Sequence, residues 1–247
     1  MAAPLHTILL PGLDGTGRLF EPFLARAPDT LDFQVLTYPT DRFLGYDALE
    51  ARVRAALPTD RPFLLLGESF GGPLALRVAA TAPPGLRGLV LASTFHRRPA
   101  ATAISALRLL SPAYFHLPLP AHGVRLLLSG NDCTDELVRL VQAAVGSVKG
   151  AVMAARAKEA IRVDVTEELR SCPVPILFLG GKRDRLLRTA LPIEVRALRA
   201  DVEIRMLDAP HLALQTRPEE AMRLLVEFAH RCTAGKAAGV DAVAVAG

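Results

Sequence analysis

An apolar run leads straight into a short glycine-rich turn in the stretch Leu64-Leu65-Leu66-Gly67-Glu68-Ser69-Phe70-Gly71-Gly72. The run predicts a strand, and the Leu- and Ala-rich segment 73–82 predicts a helix. The turn therefore has the pattern G-x-S-x-G in the strand-turn-helix context that this motif requires. The sharp turn needs residues without a Cβ at Gly67 and Gly71. We expect Ser69 to stand exposed at the end of the strand, beside helix amides that favour negative charge.

Further apolar runs of strand length occur along the chain, with helical patterns between them. The runs are continuous rather than alternating, which indicates a parallel sheet covered by helices on both faces. We therefore predict an α/β fold with a mostly parallel, doubly wound sheet. The predicted strands are 7–10, 33–37, 63–66, 88–92, 176–179 and 202–207. The predicted helices between them are 18–27, 46–57, 72–82, 187–198 and 218–231.

The strand pattern stops after Ser93 and helical patterns take its place. We expect residues 1–94 and 173–232 to form the core, 95–172 a helical cap, and 233–247 a flexible tail. An insertion at this point would lie over the carboxyl ends of the strands, where open α/β sheets bind ligands. The same apolar helix faces are also consistent with simple packing on the core. The helices predicted in the cap are 101–110, 124–128, 136–145 and 151–162.

Composition indicates a globular protein and argues against nucleic-acid binding. The chain has 247 residues, of which 51% are hydrophobic, and this is enough for one large core. The net charge is +4, but the basic residues are scattered and only 5% of the residues are aromatic. Nucleic-acid binding is therefore not expected.

Cysteine spacing and hydropathy bear on metals and compartment. The cysteines Cys133, Cys172 and Cys232 lie far apart without metal-ligand spacing, so we expect them to be reduced and structural. The N-terminal apolar run is stopped by Pro11-Gly12, and no run approaches membrane-spanning length. We expect a cytoplasmic protein without stable membrane insertion or a bound metal. The sequence does not indicate an oligomeric state.

Two later strands end in residues that would complete a site around Ser69. A serine hydroxyl is a weak nucleophile and needs a base, which in turn needs a third group to orient it. The strand 176–179 is followed by a glycine turn that ends in Asp184, and the last strand is followed by His211. The order Ser69, Asp184, His211 is the one expected for this motif. Asp208 is the alternative acid, although its place three residues before His211 suits it better to shaping the loop.

The loop after the first strand is the candidate oxyanion hole. Two backbone amides should point at the negative oxygen of an acyl-transfer intermediate, and we expect those of Leu13 and Phe70. Asp14 would oppose that charge, so we predict that its side chain turns away and bonds the local loop backbone. Such a loop also suits phosphate binding, but the fixed spacings of nucleotide-binding loops are missing. The alternative for Ser69 is that it only caps the helix.

Three residues are predicted to line the substrate pocket: Phe95, His96 and Leu212. The alternative for His96 is a solvated position at the start of the cap. The segment 95–131 contains arginines but no Asp or Glu, which weakly favours a substrate with an anionic end. Arginines on solvated helix faces are the alternative. These arginines are Arg97, Arg98, Arg108 and Arg125.

The chain resembles the α/β-hydrolase superfamily from Leu5 to about Arg231. The resemblance rests on Pro11-Gly12-Leu13, the turn around Ser69, Asp184 and His211. It implies a mostly parallel sheet, a cap after the sixth strand of the family, no cofactor and an acyl-enzyme mechanism. The chain departs from the family where Pro11-Gly12 replaces the familiar His-Gly, and the first two strands of the full fold are expected to be absent.

The resemblance implies a carboxylic ester hydrolase acting on a small-molecule acyl ester or thioester. Parts of the chain are similar to both esterases and phytyl-ester-synthase-like acyltransferases, so transfer of the acyl group to an alcohol is the alternative. Carbon–carbon bond hydrolysis would need the same serine. A non-catalytic binding module on the same fold is the third class of function.

Overall fold

A six-stranded parallel sheet forms the centre of the computed structural model, which describes residues 4–99, 119–130, 133–187 and 189–234. The strand order is β2-β1-β3-β4-β5-β6. The chain moves outward from β1 to β2 and then returns to β3 on the other side of β1, so the predicted doubly wound fold is confirmed. The strands are β1 (Leu5–Leu10), β2 (Leu31–Val35), β3 (Phe63–Glu68), β4 (Leu86–Ala92), β5 (Ile176–Gly181) and β6 (Glu203–Leu207).

Helices flank the sheet and connect its strands. The described α-helices are α1 (Glu21–Leu24), α2 (Tyr46–Ala55), α3 (Gly71–Ala80), α4 (Ala121–Val124), α5 (Asp135–Gly146), α6 (Gly150–Arg162), α7 (Thr166–Ser171), α8 (Leu191–Leu198), α9 (Ala213–Thr216) and α10 (Pro218–Ala234). A 3-10 turn at Arg18–Phe20 precedes α1, and a π-helical turn at Arg125–Ser129 follows α4.

Several predicted boundaries differ from the observed ones, and two of them concern the segment after β5 and the C-terminal helix. The helix predicted from 187 begins only at Leu191, because the amides of Leu186 and Leu187 donate to the Asp184 carboxylate instead. The predicted tail is wrong at its start, since Thr233 and Ala234 still belong to α10. The rest of that tail and the helix predicted at 101–110 lie outside the described residues.

The two faces of the sheet carry separate apolar layers. Along β3 the side chain of Leu65 joins one layer, whereas Leu64 and Leu66 join the other. Successive strand residues point to opposite faces, and both faces here are covered. This explains why the run is continuously apolar. Helices α2, α3, α7 and α8 supply the first layer, and α1, α9 and α10 supply the second.

The segment predicted as a cap packs in two different ways. Val165, just before α7, and Leu169, within it, join the first core layer. Val138 and Val141 of α5 instead form a small separate cluster that includes Leu212. The limits 95–172 for a cap stay a prediction.

No single helix of the described residues is long and apolar enough to cross a bilayer. Among the described helices, only the pair α5 and α6 together reaches that length and apolar character, and the two helices are bent by 97° relative to each other.

The crossing of β3 and α3 leaves no room for side chains at the two motif glycines. A Cβ on Gly67 would lie 2.8 Å from the Cβ of Ala75. A Cβ on Gly71 would lie 2.7 Å from the carbonyl oxygen of Pro11. The predicted need for glycine at both positions is confirmed, and it brings α3 directly against the end of β1.

We expect Gly67→Ala to destabilise the fold by about 1–3 kcal/mol, the usual cost of overpacking a tight interior contact. Urea unfolding measures the loss. The control is Gly146→Ala at the exposed end of α5, where an added Cβ has no neighbour within 4 Å. That variant should gain roughly 0.5–1 kcal/mol from the higher helix propensity of alanine. Equal stabilities for the two variants would contradict the crossing described above.

Candidate active site

Ser69 sits at the turn between β3 and α3 in a left-handed backbone conformation, with φ of 50°. This conformation is uncommon for a residue with a side chain and persists where neighbours hold it. Its N–H donates to the carbonyl of Ala92 (3.0 Å). Its carbonyl accepts from Thr94 Oγ1 (2.5 Å) and from the N–H of Gly72 (3.1 Å). The half-buried serine is thus fixed from β4 as well as from its own helix.

The structure brings together the three residues that the sequence singled out. His211 Nε2 lies 3.1 Å from Ser69 Oγ, and His211 Nδ1 lies 2.7 Å from Asp184 Oδ2. The side chains of His211 and Asp184 are 6% and 7% exposed. A serine hydroxyl can therefore donate to an imidazole whose other nitrogen donates to a buried carboxylate.

The turn after β5 orients Asp184 through its backbone. Oδ1 accepts hydrogen bonds from the amides of Leu186 (2.7 Å) and Leu187 (3.0 Å), which leaves Oδ2 for His211. Burial acts to raise the pKa of Asp184, but His211 and the two amides outweigh it and hold that pKa below its usual value. The carboxylate is therefore ionised near neutral pH.

The alternative acid, Asp208, does not contact His211 in this arrangement. Its carboxylate accepts from Arg183 Nε at 2.8 Å, and its side chain is 70% exposed. It shapes the loop between β6 and His211, as its spacing indicated.

The surroundings of His211 favour its protonated form. Burial alone would lower the pKa of the imidazole, but the Asp184 carboxylate and, more weakly, Glu68 raise it above its usual value. A base with a raised pKa accepts a proton more readily, and the ion pair formed with Asp184 stabilises the product of that transfer.

Two backbone amides near Ser69 are oriented by the carbonyls to which they are joined. The Ser69 carbonyl is held by Thr94 and Gly72, so the N–H of Phe70, in the same trans peptide, points the opposite way. The Gly12 carbonyl is likewise held by the N–H of Gly15 (3.0 Å), which turns the N–H of Leu13 away from it.

The loop that carries Leu13 passes close to the serine. A Cβ on Gly12 would lie 3.6 Å from the Cβ of Ser69. Asp14 turns as predicted, because its carboxylate accepts from the backbone N–H of Thr16 (2.8 Å) and from the hydroxyl of the same residue. The carboxylate is thereby held by its own loop.

A cavity of about 290 Å³ opens beside Ser69 and His211. Its described lining is apolar apart from four residues: Asp14, Glu68, Ser69 and His211. Phe95 and Leu212 line it as predicted. His96 is not among the described lining residues: it is 2% exposed, and its Nε2 lies 4.0 Å from Glu194.

The arginines in the described part of segment 95–131 do not form an anion site in this cavity. Arg97 pairs with Glu194 (3.0 Å) and Arg125 pairs with Asp135, while Arg108 lies outside the described residues. Arg97, Arg98 and Arg125 are absent from the described lining. In the described part of the chain, no group of three or more His, Cys, Asp or Glu side chains could hold a metal ion.

The comparison with known families agrees with this fold. A sequence profile of the alpha/beta hydrolase family matches residues 2–224. The chain belongs to the alpha/beta hydrolase family. The resemblance noted from the sequence is therefore confirmed. No curated protein gives a significant sequence match.

Solved structures of alpha/beta hydrolase shape superpose on nearly the whole chain. A bacterial membrane phospholipase A shares 20% identity at a TM-score of 0.77, over 94% of this chain and 81% of its own. An esterase from Exiguobacterium antarcticum shares 14% identity at a TM-score of 0.74, over 92% of each chain. The N-formylmaleamic acid deformylase of Pseudomonas putida S16 shares 16% identity at a TM-score of 0.72, over 91% of this chain and 92% of its own. At these identities the likeness shows the fold alone.

Sequence reasoning missed several residues that shape this alpha/beta hydrolase site. Thr94 holds the Ser69 carbonyl, and Arg156 of α6 donates to the carbonyls of Leu13 and Asp14. Both contacts join segments far apart in the chain, so no local pattern marks them. Glu68 was quoted only as part of the motif, yet its buried carboxyl lines the cavity.

Burial raises the pKa of Glu68 to about 7, and the charge of Asp14 adds to this, whereas a hydrogen bond from Gln215 (2.8 Å) and the charge of His211 act to lower it. The folded protein therefore binds a proton here that the unfolded chain releases near pH 4.5. The stability from this proton is complete below that pH and is lost as the pH rises through about 7.

We expect Glu68→Gln, which stays neutral at every pH, to gain stability relative to the wild type as the pH rises from about 5 to about 8. The amide keeps an oxygen that can accept from Gln215. Urea denaturation midpoints of both proteins across this range measure the difference. A stability difference that does not change with pH would contradict the assignment.

Proposed function

We propose that the protein is a serine hydrolase that cleaves a carboxylic ester or thioester through an acyl-enzyme intermediate. Ser69 is the nucleophile, His211 the general base and Asp184 the group that orients it. The observation that carries the proposal is the continuous hydrogen-bonded chain from Ser69 Oγ through His211 to Asp184 beside an apolar cavity. Membership of a hydrolase family supports it.

Acylation begins when Ser69 Oγ attacks the carbonyl carbon of the ester. The hydroxyl proton passes to His211 Nε2, which lies 3.1 Å away, and Asp184 stabilises the imidazolium that forms. Collapse of the tetrahedral intermediate breaks the bond to the leaving group. His211 donates its proton to the departing oxygen or sulfur, which leaves the acyl group on Ser69.

The amides of Leu13 and Phe70 would hold the oxyanion of that intermediate. Both are fixed in direction by the carbonyls of their own peptides, so no reorganisation is needed as charge develops. Loss of one such donor typically slows a reaction by about 10²- to 10³-fold.

Deacylation repeats these steps with water. His211 takes a proton from the water molecule as its oxygen attacks the acyl carbon, and it returns that proton to Ser69 Oγ as the acid leaves. The apolar lining of the cavity favours a substrate whose acyl or alcohol part is uncharged and apolar.

Transfer to an alcohol is the second candidate, and the same lining favours it. A cavity with few polar side chains holds little water, so a bound alcohol could reach the acyl-enzyme first. The residues and proton transfers are the same as in hydrolysis, with the alcohol in place of water.

We expect Ser69→Ala and His211→Ala to lower kcat/KM for p-nitrophenyl esters by on the order of 10⁴-fold or more, and Asp184→Asn by about 10⁴-fold. The variant Asp208→Asn is the matched control, because this exposed acid pairs with Arg183 instead. It should keep nearly full activity. A fluorophosphonate should label the wild type and Asp208→Asn, fail to label Ser69→Ala, and label His211→Ala and Asp184→Asn far more slowly, because the base that activates the serine is lost or misoriented.

The pH profile adds a second readout to the same variants. Activity should fall on the acid side as His211 takes up a proton, at a pH above the usual imidazole range because the pKa of His211 is raised. Residual activity of Asp184→Asn should fall at lower pH. Failure of the wild type to be labelled or to turn over any ester would favour the non-catalytic binding module.

A panel of p-nitrophenyl esters and acyl thioesters of increasing chain length, with and without added alcohol, separates hydrolysis from transfer. We expect uncharged acyl chains to be cleaved faster than chains that end in a carboxylate, because the described cavity lining carries two acidic side chains and no arginine or lysine. Transfer is identified by formation of the alcohol ester in dilute aqueous alcohol. Release of free acid alone would identify the protein as a hydrolase.

A further inference from the structure

Arg156 is a completely buried cation in the middle of α6. Its side chain is 0% exposed, although arginine is rarely buried without several partners. Nη1 donates to the carbonyls of Leu13 (2.9 Å) and Asp14 (2.7 Å), and Nη2 donates to the carbonyl of Pro39 (2.7 Å). Burial lowers the pKa of Arg156, while Tyr38 and Asp14 oppose that shift.

The loop around the cation is shaped to receive it. Gly15 has a φ of +70°, and a Cβ at that position would lie 2.6 Å from Arg156 Nη1 and 2.7 Å from Tyr38 Cδ2. The guanidinium carbon lies 5.5 Å from the centre of the Tyr38 ring, where a cation is attracted to the ring face. The same tyrosine donates its hydroxyl to the carbonyl of Pro11 (3.2 Å) and its N–H to the carbonyl of Gly15 (2.8 Å).

Taken together, these contacts bind every carbonyl of the loop from Pro11 to Gly15. Tyr38 holds those of Pro11 and Gly15, the N–H of Gly15 holds that of Gly12, and Arg156 holds those of Leu13 and Asp14. The Asp14 carbonyl belongs to the same peptide as the Gly15 N–H, which holds the Gly12 carbonyl. The Leu13–Asp14 peptide lies between that N–H and the Leu13 residue. Arg156 therefore controls the part of the turn that closes on the Gly12 carbonyl.

We propose that Arg156 is a positioning residue for the reaction: it holds the loop in the conformation that aims the Leu13 N–H at the oxyanion. The inference rests on the proposed function. It assigns to α6 a role in transition-state stabilisation, in addition to the cavity wall that its residues Met153, Ala157 and Ala160 form.

Helix α6 is well placed for this role because it is tied to the core on both sides of Arg156. The N–H of Lys149, just before the helix, donates to the carbonyl of Thr40 (2.9 Å). Glu159, near its other end, accepts from the N–H of Tyr46 (3.2 Å). The arginine thus extends to the loop from a helix that is held in place on both sides of it.

The test compares Arg156→Gln, Arg156→Lys and the control Arg162→Gln, which removes an exposed arginine from the end of the same helix. Thermal unfolding is measured for each, and kinetics are recorded below every midpoint. We expect kcat for Arg156→Gln to fall by roughly 10- to 10³-fold, with KM little changed. The upper end of this range corresponds to complete loss of one oxyanion donor. Arg156→Lys, whose ammonium cannot serve three carbonyls at once, should lie between it and the wild type.

Binding of an alkyl trifluoromethyl ketone, which forms a tetrahedral adduct with the serine, supplies the decisive readout. Its affinity should fall by the same factor as kcat/KM, because both depend on the oxyanion donors. The control variant should match the wild type in both measurements.

Three results would overturn the role of Arg156: lower stability with unchanged kcat, a higher KM with unchanged kcat, or failure of both Arg156 variants to fold. Each would make the arginine a structural or wall residue. Failure of the proposed function is a separate outcome, since it would appear in the wild type itself as absence of turnover, of ketone binding and of fluorophosphonate labelling.

Discussion

The tight passage of α3 across the ends of β1 and β3 is the constraint on which the rest of the site depends. It places a helix N-terminus against a loop at a distance that only glycine allows, at Gly67 and Gly71. The chain can make this turn only if Ser69 takes a left-handed conformation, and hydrogen bonds from Thr94 and Gly72 offset that strain. The same bonds orient the peptide that carries the Phe70 amide. The hydrogen bonds that hold the strained backbone of Ser69 therefore also set the direction of the Phe70 N–H.

The parallel sheet explains how residues that lie far apart in the chain meet. Every strand delivers its carboxyl end to the same edge, so the turns after β3 and β5 and the loop after β6 face one another. Burial then makes their charges matter. Asp184 stays ionised because His211 and two amides surround it, whereas Glu68, with fewer partners, holds its proton near neutral pH. Two carboxyl groups at one site therefore differ in pKa because nearby charge and hydrogen bonds outweigh burial at Asp184 but not at Glu68.

Local sequence predicted the parts of the molecule that local sequence controls. All six strands were identified, because continuous apolar runs are typical of a sheet buried on both faces. The residues Ser69, Asp184 and His211 were found because each follows a strand at a recognisable turn. His96, predicted beside Phe95 in the pocket, is absent from the described lining, because adjacent residues can point their side chains in different directions. Arg156 could not be found at all, because its partners are about 140 residues away and its role depends on burial.

The use of main-chain groups has a consequence for how such a protein diverges. The amides at Leu13 and Phe70 that we propose as oxyanion donors belong to the backbone, so the side chains at these positions can be exchanged without removing a donor. Selection on the chemistry then acts on turns and carbonyl partners more than on residue identity. The fold itself tolerates such exchange, since structures that share only 14–20% of the residues superpose on more than nine-tenths of the chain. Among such proteins, we therefore expect the backbone geometry of the site to be better conserved than its residue identities.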